Sequence, residues 1–600
     1  VLFPRIVIQN VRPRTTTGEF PAKAVVGLPV RVRAEIFRDG HDVLAACVQW
    51  RRAGEGAWRD APLRHVGNDE WEGTFTPVEV GAHEFRIRAW TDRVATISAH
   101  IEAKRSAGAD TTVEEQELAL ASGRPPDDLT VGRAMPLWVD RRRAQVGAWY
   151  ELFPRSEGGL KGTIEALGRI AAMGFDVLYL PPIHPIGRTA RKGRDNALEA
   201  GPDDPGSPWA IGSEEGGHTA VHPDLGTIED FDRLVAAAAD HGIEIALDYA
   251  LQCSPDHPWV REHPEWFHHR PDGSIKFAEN PPKRYEDIYP LNFWPDDEDD
   301  RRALWEACRD ILEFWIGHGV RIFRVDNPHT KPLAFWAWLI PSIRARHPEV
   351  VFLSEAFTRP KMMAKLAEVG FSQSYTYFTW RTGRDELRDY VLELTEGPTA
   401  DFMRPNFWPN TPDILSGPLR HGPPAAFAVR LVLAALLVPS YGIYSGYELC
   451  ENEPASEENE EYLHAEKYEI KRRDWSAEPN LTPLVTRINE IRRRHRCFDE
   501  LSNVRFHHAN HPSLLVWSKR SADGSDAMLM VVNTDPHNVA EDVLRLDLDA
   551  LGLPADRPLE ARDELNDTTY LWRGPAPYVR LDPSVTPAHV IHLSPLEDRP

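Results

Sequence analysis

Six hundred residues exceed what a single hydrophobic core supports, so several domains are expected. The formal charge of −23 and the lack of a long basic run argue against nucleic acid as a partner, because its binding relies on clustered Lys and Arg. A phosphorylated small substrate is not excluded, since local rather than net charge decides that.

The five cysteines, Cys47, Cys253, Cys308, Cys450 and Cys497, are scattered and lack CxxC spacing. They read as reduced thiols, with no structural zinc. No basic segment followed by an apolar core opens the chain, and the longest apolar stretch, 431–438, is too short for a bilayer. A cytoplasmic protein with no membrane contact is expected. Of the nineteen Trp, about two thirds are expected in cores, the rest being available to stack on sugar rings.

Residues 1–104 alternate as half-buried strands do, for example in Val30-Arg31-Val32-Arg33-Ala34-Glu35-Ile36, with Asp39-Gly40 as a turn. They predict an N-terminal β-sandwich. The segment 105–143 reads as a short helical connector, with its helix at 112–121. From 144 to 495, strand and helix signals alternate. The strands fall at 148–153, 177–180, 243–249, 322–326, 351–355, 374–378, 404–407 and 442–445. Leu304, Cys308, Ile311, Leu312 and Trp315 recur at helical spacing, and Gly317-His318-Gly319 ends that helix. Eight such units predict an α/β fold, a (β/α)8 TIM barrel. A doubly wound sheet would carry a Gly-rich phosphate turn after its first strand, and none is present. The stretch 252–295 is too long for an ordinary βα loop. Rich in Pro, His and aromatics, Pro281-Pro282 among them, it predicts a subdomain over the catalytic face. Residues 496–600 predict a C-terminal β-sandwich.

Two apolar runs end on carboxylates, at Asp326 and, 29 residues later, at Glu355. On consecutive barrel strands these would stand side by side at the C-terminal rim, where barrel active sites lie. Cleaving an acetal with retention needs a carboxylate nucleophile and an acid about 5 Å away. Asp326 is the candidate nucleophile and Glu355 the candidate acid/base. Arg324, two residues before Asp326, faces the same side of the strand and would hold the carboxylate ionised and oriented. Asp413, read as the end of another strand region, is a third catalytic candidate that could favour the distorted sugar ring.

Phe323-Arg324-Val325-Asp326, Leu353-Ser354-Glu355, Asn410-Thr411-Pro412-Asp413 and Ile245-Ala246-Leu247-Asp248 resemble, in order and spacing, the four conserved regions of the α-amylase superfamily, family 13 of the glycoside hydrolases. The chain departs from typical amylases at Gln252-Cys253, where they build a calcium and sugar site, and at Pro412, where they place His. One subgroup matches over longer runs. FRVDNPHTKP at 323–332, EAFTRP at 355–360, YTYFTW at 375–380 and LPPIHPIG at 180–187 closely resemble the bacterial α-1,4-glucan:maltose-1-phosphate maltosyltransferases of actinobacterial type. The resemblance runs through the whole chain. It implies retaining transfer of a maltosyl unit from α-maltose 1-phosphate to the non-reducing end of an α-1,4-glucan, with no metal or other cofactor, by a homodimer. It also implies substrate contacts at Lys192, Gln252, Asp287, Asn327, Lys467 and Tyr468. Lys192 with Asn327 and Gln252 can supply the cation and donors that a phosphate leaving group wants, while Lys467 and Tyr468 suit distal glucose hydroxyls.

Two other readings compete: a hydrolase or branching enzyme of the same fold, and a catalytically silent glucan-binding protein. The intact Asp326, Glu355 and Asp413 set argues against the second. His263, His268 and His269 read as loop packing rather than a metal site, and Arg492-Arg493-Arg494 as a charged helix face.

Overall fold

Alternate burial of Val32, Ala34 and Ile36 along Val30–Phe37, and of Phe85, Ile87 and Ala89 along Gly81–Thr91, builds one face of a β-sheet core. The computed structural model describes residues 4–121, 123–280 and 283–596, which leaves Pro281 and Pro282 outside. Two compact units result, Val1–Arg142 and Arg143–Pro600. In the first, Val7–Arg12, Val30–Phe37, Glu70–Phe75, Arg59–Gly67, Leu44–Arg52, Gly81–Thr91, Met135–Asp140 and Ala22–Val25 hydrogen-bond in that order. Helices occupy Arg93–Ser106 and Thr112–Ala121, the former capped by Asp92, whose side chain accepts from Ala95 N.

The boundary expected at 104 therefore falls inside a helix. The supposed connector also holds a strand, Met135–Asp140, antiparallel to Gly81–Thr91 and parallel to Ala22–Val25. Its apolar core, Leu137 and Val139, is too short to register as alternation beside the charges that follow it.

The second unit contains the barrel. Its strands are β1 (Gly147–Glu151), β2 (Val177–Leu180), β3 (Glu244–Tyr249), β4 (Ile322–Asp326), β5 (Val351–Glu355), β6 (Gln373–Ser374), β7 (Asn406–Phe407) and β8 (Ser440–Tyr444), all parallel and in chain order around the ring. Ser374 N donates to Arg404 O at 2.9 Å, joining β6 to the approach of β7. The sixth strand is shorter than expected. Phe378 N donates to the Thr376 hydroxyl and Tyr377 N to the Tyr390 hydroxyl, which turns Tyr377–Trp380 into a 3-10 helix.

The barrel interior is an aromatic floor. Trp408 stacks on Tyr375 at 5.2 Å and meets Trp149 and Tyr179 edge-on at 6.5 Å. Gly442 of β8 lets that floor close, because a Cβ there would lie 2.3 Å from the Trp408 ring.

Helix Glu298–Gly317 buries the expected stripe of Leu304, Cys308, Ile311, Leu312 and Trp315. The stretch after β3 forms a small subdomain with two two-stranded pairings, Gln252–Cys253 with Tyr289–Pro290 and Ala278–Asn280 with Lys283–Tyr285. The C-terminal region is a six-stranded antiparallel sheet with a separate two-stranded one, Ala540–Val543 with Tyr578–Leu581.

Helix Thr482–Arg494 ties that region to the barrel; of its expected charged face, Arg493 and Arg494 are exposed and Arg492 is not. Arg492 is buried and donates to the carbonyls of Ala435 and Pro439. Arg493 pairs with Asp176 at 3.3 Å and Arg494 with Glu564 at 2.5 Å. The five cysteines are unpaired and buried. No described helix is long and apolar enough to cross a membrane.

Substituting Gly442→Ala should push Trp408 off its stack and destabilise the barrel by about 1–3 kcal/mol. A thermal unfolding midpoint equal to that of the parent would show that the floor can yield.

Candidate active site

Strand alternation aims the reactive groups. Above the floor residues Trp149, Ala246, Ile322 and Leu353, the next inward positions are Glu151, Asp248, Arg324 followed by Asp326, and Glu355. Arg324 lies at their centre. Its Nη1 donates to Asp248 Oδ2 at 3.0 Å and Asp326 Oδ1 at 2.9 Å, and its Nη2 pairs with Glu355 Oε1 at 3.1 Å. One guanidinium thus gathers carboxylates from β3, β4 and β5. Asp326 and Glu355 are register partners. Adjacent strands in register and one shared guanidinium make the two carboxylates neighbours.

Asn327 serves both acids. Its backbone N–H donates to Glu355 Oε2 at 3.0 Å and its Nδ2 to Asp326 Oδ2 at 3.4 Å. Burial, against the pull of Arg324 and with the push of Asp326, raises the Glu355 carboxyl to about 7. Glu355 therefore keeps a proton to give near neutral pH. Burial also pushes Glu151 well above the usual carboxyl range, with Arg324 opposing.

The other candidates form a second group. Lys467 Nζ pairs with Asp413 Oδ1 at 3.1 Å and lies 5.2 Å from the Trp209 ring. Asp413 is not at a strand end. It sits beyond β7 in a turn where Thr411 and Ile414 exchange backbone hydrogen bonds, 43% exposed at the rim. Its field still reaches Glu355 and Glu151.

Lys192, expected as a waiting cation, is buried and paired with Glu286 Oε2 at 3.1 Å. Next to Glu286, Asp287 is 2% exposed, and its Oδ1 has no hydrogen-bond partner among the described residues. Burial raises its carboxyl, with Lys192 and Lys467 opposing. Tyr468 is buried beside Lys467. Gln252 Nε2 donates to Trp209 O at 3.3 Å.

Two residues were missed by sequence reasoning. Trp209 donates through Nε1 to Asp248 Oδ2 at 3.3 Å while its ring faces Lys467, so it bridges the two groups. Tyr179 donates to the same Asp248 oxygen at 2.6 Å. A signal for Trp209 exists in retrospect: it is a lone large ring in the Gly- and Pro-rich loop between β2 and β3.

His263 and His269 pack within the inserted stretch. His263 stacks on Trp266 at 3.8 Å, and His269 Nε2 contacts Pro264 O at 2.9 Å. A different trio, His218, Cys253 and His257, has metal-like spacing. Its hydrogen bonds fix neutral tautomers instead. Trp259 N donates to His257 Nδ1, so the proton of His257 is on Nε2, which faces His218 Nδ1 at 3.1 Å. His218 in turn donates from Nε2 to Ala250 O. The acceptor nitrogens of both rings are thus engaged, and the Cys253 sulfur is the remaining donor of the trio.

A family model described as "Alpha-1,4-glucan:maltose-1-phosphate maltosyltransferase, domain N/S" matches residues 4–125, one described as "GLGE, C-terminal" matches 506–593, and the alpha amylase catalytic domain model matches 140–333. The chain is 50% identical over 652 residues to alpha-1,4-glucan:maltose-1-phosphate maltosyltransferase 2 of Streptomyces coelicolor, an overlap of 98% of this chain and 96% of that one. It is 44% identical over 643 residues to the maltosyltransferase of Methylacidiphilum infernorum, with 98% and 96% covered. Among solved structures, an alpha-amylase from Lactobacillus plantarum superposes with a TM-score of 0.55 at 20% identity, over 75% of this chain and 99% of the other, a likeness of fold.

Replacing Arg324 by Met should leave three carboxylates facing one another without their shared cation. The expected cost is about 3–5 kcal/mol of folding stability, read from urea unfolding. A loss below about 1 kcal/mol would mean that the guanidinium does not hold the cluster together.

Proposed function

Because the chain belongs to the α-1,4-glucan:maltose-1-phosphate maltosyltransferase family, we propose that it moves a maltosyl unit from α-maltose 1-phosphate to the non-reducing end of an α-1,4-glucan, releasing phosphate, through a covalent ester on Asp326. The observation that carries this reading is the Arg324 fork. It gathers the proposed nucleophile and the proposed acid from adjacent strands onto one cation, on a chain whose relatives are maltosyltransferases over nearly their full length.

The steps follow from the geometry. Asp326 attacks the anomeric carbon with the oxygen not tied to Arg324, as the bond to the phosphate oxygen breaks. Glu355, protonated up to about pH 7, gives its proton to the departing phosphate. It then accepts the proton of the acceptor 4-hydroxyl, whose oxygen displaces Asp326 and restores the original anomeric configuration. Arg324 stays beside both carboxylates throughout and needs no reorganisation as charge moves between them.

Asp413, Lys192, Gln252, Asp287, Asn327, Lys467 and Tyr468 are proposed to hold the donor. Lys192 and Lys467 are each paired with a carboxylate before substrate binds. A phosphate or sugar hydroxyl must therefore compete with Glu286 or Asp413, which favours a ligand that makes several contacts at once. Of the finer expectations, the homodimer rests on the family resemblance and the cytoplasmic location on the scattered thiols and the lack of a signal-like opening segment.

Incubation with maltose 1-phosphate and a short maltodextrin should lengthen the glucan in steps of two glucose units, with one orthophosphate released per step. Free maltose released from glucan without orthophosphate would favour a hydrolase. Asp326→Ala should lower turnover by about four orders of magnitude or more, and orthophosphate release at the parent rate would remove Asp326 from the role of nucleophile. Glu355→Ala should accumulate a sugar ester on Asp326, visible as an added mass on the intact protein. The parent kcat/KM for maltose 1-phosphate should fall as pH rises through about 7, where the Glu355 proton is lost; a profile flat to pH 9 would assign the proton to another group.

A further inference from the structure

Asn327 holds φ 42° and ψ 54°, in the left-handed region, directly before Pro328. A residue before proline is driven toward extended backbone, and a non-glycine residue at positive φ is strained. Such a turn persists only when its surroundings over-determine it. Here they do. Thr330 donates to Asn327 O from its backbone N at 3.1 Å and its hydroxyl at 2.8 Å, and Lys331 Nζ donates to the same oxygen at 3.2 Å. Lys331 Nζ also donates to Asp326 O at 3.2 Å. Two successive carbonyls thus converge on one ammonium, and their convergence is a product of the left-handed residue between them.

Lys331 is 8% exposed. Among the described residues its hydrogen bonds go to these carbonyls and not to a carboxylate. A buried ammonium without a directly bonded counter-ion is costly to fold. Burial lowers the pKa of the ammonium, and the field of the site opposes this in part: Asp326 on β4, Glu355 on β5 and Asp248 on β3 all face it, with Cys308 of helix Glu298–Gly317 and His329 also nearby. Glu355 in turn faces Arg324, Asp326, Asp413, Glu151 and Tyr375. Arg324 grips these carboxylates from the barrel interior, and Lys331 reaches the same strand ends through the backbone of the turn.

We propose that Lys331 is a positioning residue for the transfer reaction: its ammonium fixes the Asp326–Asn327 turn against both carboxylates and supplies a second positive charge to their cluster. It touches no reacting atom. It acts through Asn327, whose N–H is aimed at Glu355 and whose amide is aimed at Asp326. The role rests on the reading of Glu355 as the acid/base. Removing the cation makes the ionised form of Glu355 less favourable, so its proton is held to higher pH.

The test is the pH dependence of kcat/KM for maltose 1-phosphate, with kcat and KM separated near neutral pH. The variants are Lys331→Met, Lys331→Gln, Lys331→Arg and Thr330→Val. The second ionisation of the substrate phosphate, about 6, is common to all of them, so any difference between profiles belongs to the protein. Lys331→Met should move the alkaline limb up by about half to one pH unit and lower kcat about tenfold or more with a smaller change in KM. Lys331→Gln keeps a donor for the carbonyls without the charge; it should shift the limb in the same direction and carries the test should the Met variant fail to fold. Lys331→Arg should keep the limb near its parent position. Thr330→Val removes a donor from the Asn327 carbonyl without changing charge, so it should lower the melting temperature and leave the limb in place. A neutral Lys331 variant with the parent profile, or a Thr330→Val limb displaced as far as that of Lys331→Met, overturns the proposal. If the parent releases no phosphate from maltose 1-phosphate, the maltosyl-transfer reading fails instead, and the two failures are told apart.

Discussion

The structure depends on one buried guanidinium. Arg324 is the cation that lets acids from three adjacent strands share the end of a closed barrel, and its two terminal nitrogens bond all three. A carboxylate cluster without such a partner would have to protonate or expose itself, because burial in low dielectric penalises charge. With it, the cluster divides its labour. Asp326 and Asp248 accept from the same Nη1, whereas Glu355 takes the other nitrogen and an N–H from the next residue of β4's turn. Cation–π geometry adds to the restraint, since the guanidinium lies 5.5 Å from the Tyr179 ring and 5.8 Å from that of Tyr375.

This arrangement of side chains was legible in the sequence to the extent that strand geometry is local. A two-residue repeat puts Arg324 and Asp326 on one side, and an apolar run ending in Glu355 marks the next strand, so the heart of the site follows from periodicity and spacing. What was illegible is what depends on contacts between distant loops. Asp413 looked like a strand terminus but belongs to a turn whose place is set by the Lys467 ammonium. Lys192 is expected as a cation for the phosphate, yet Glu286 neutralises it across 94 residues of sequence. Trp209 carries no motif, and its function as a bridge arises only because Asp248 and Lys467 lie at its two ends. The strand Met135–Asp140 was lost for a similar reason, as its partners Ala22–Val25 and Gly81–Thr91 lie far upstream.

The histidine cluster beneath the inserted subdomain carries a related lesson. Spacing alone nominates His218, Cys253 and His257 for a metal. Tracing each proton through Trp259, His257, His218 and Ala250 leaves a chain of neutral rings instead, and burial lowers His218 to about 4. The rings wedge the subdomain onto the barrel at Gly212 and Gly217, where a Cβ would collide with the His257 ring. Chemistry-bearing residue types act here as packing.

Helix Thr482–Arg494 fastens the ring at its seam: Asn489 donates to Met173 O and accepts from the Tyr441 hydroxyl, and Arg492 holds the carbonyls that end helix Pro424–Leu437. During synthesis β8, the barrel partner of β1, and then this helix leave the ribosome long after β1 has emerged. Until then the first strand waits beside an open edge, and the aromatic floor has no eighth wall. Nascent chains are therefore expected to spend most of translation as an unclosed sheet and to depend on holding factors or slow local collapse. Closure is a late event that is settled by residues far from Asp326 and Glu355.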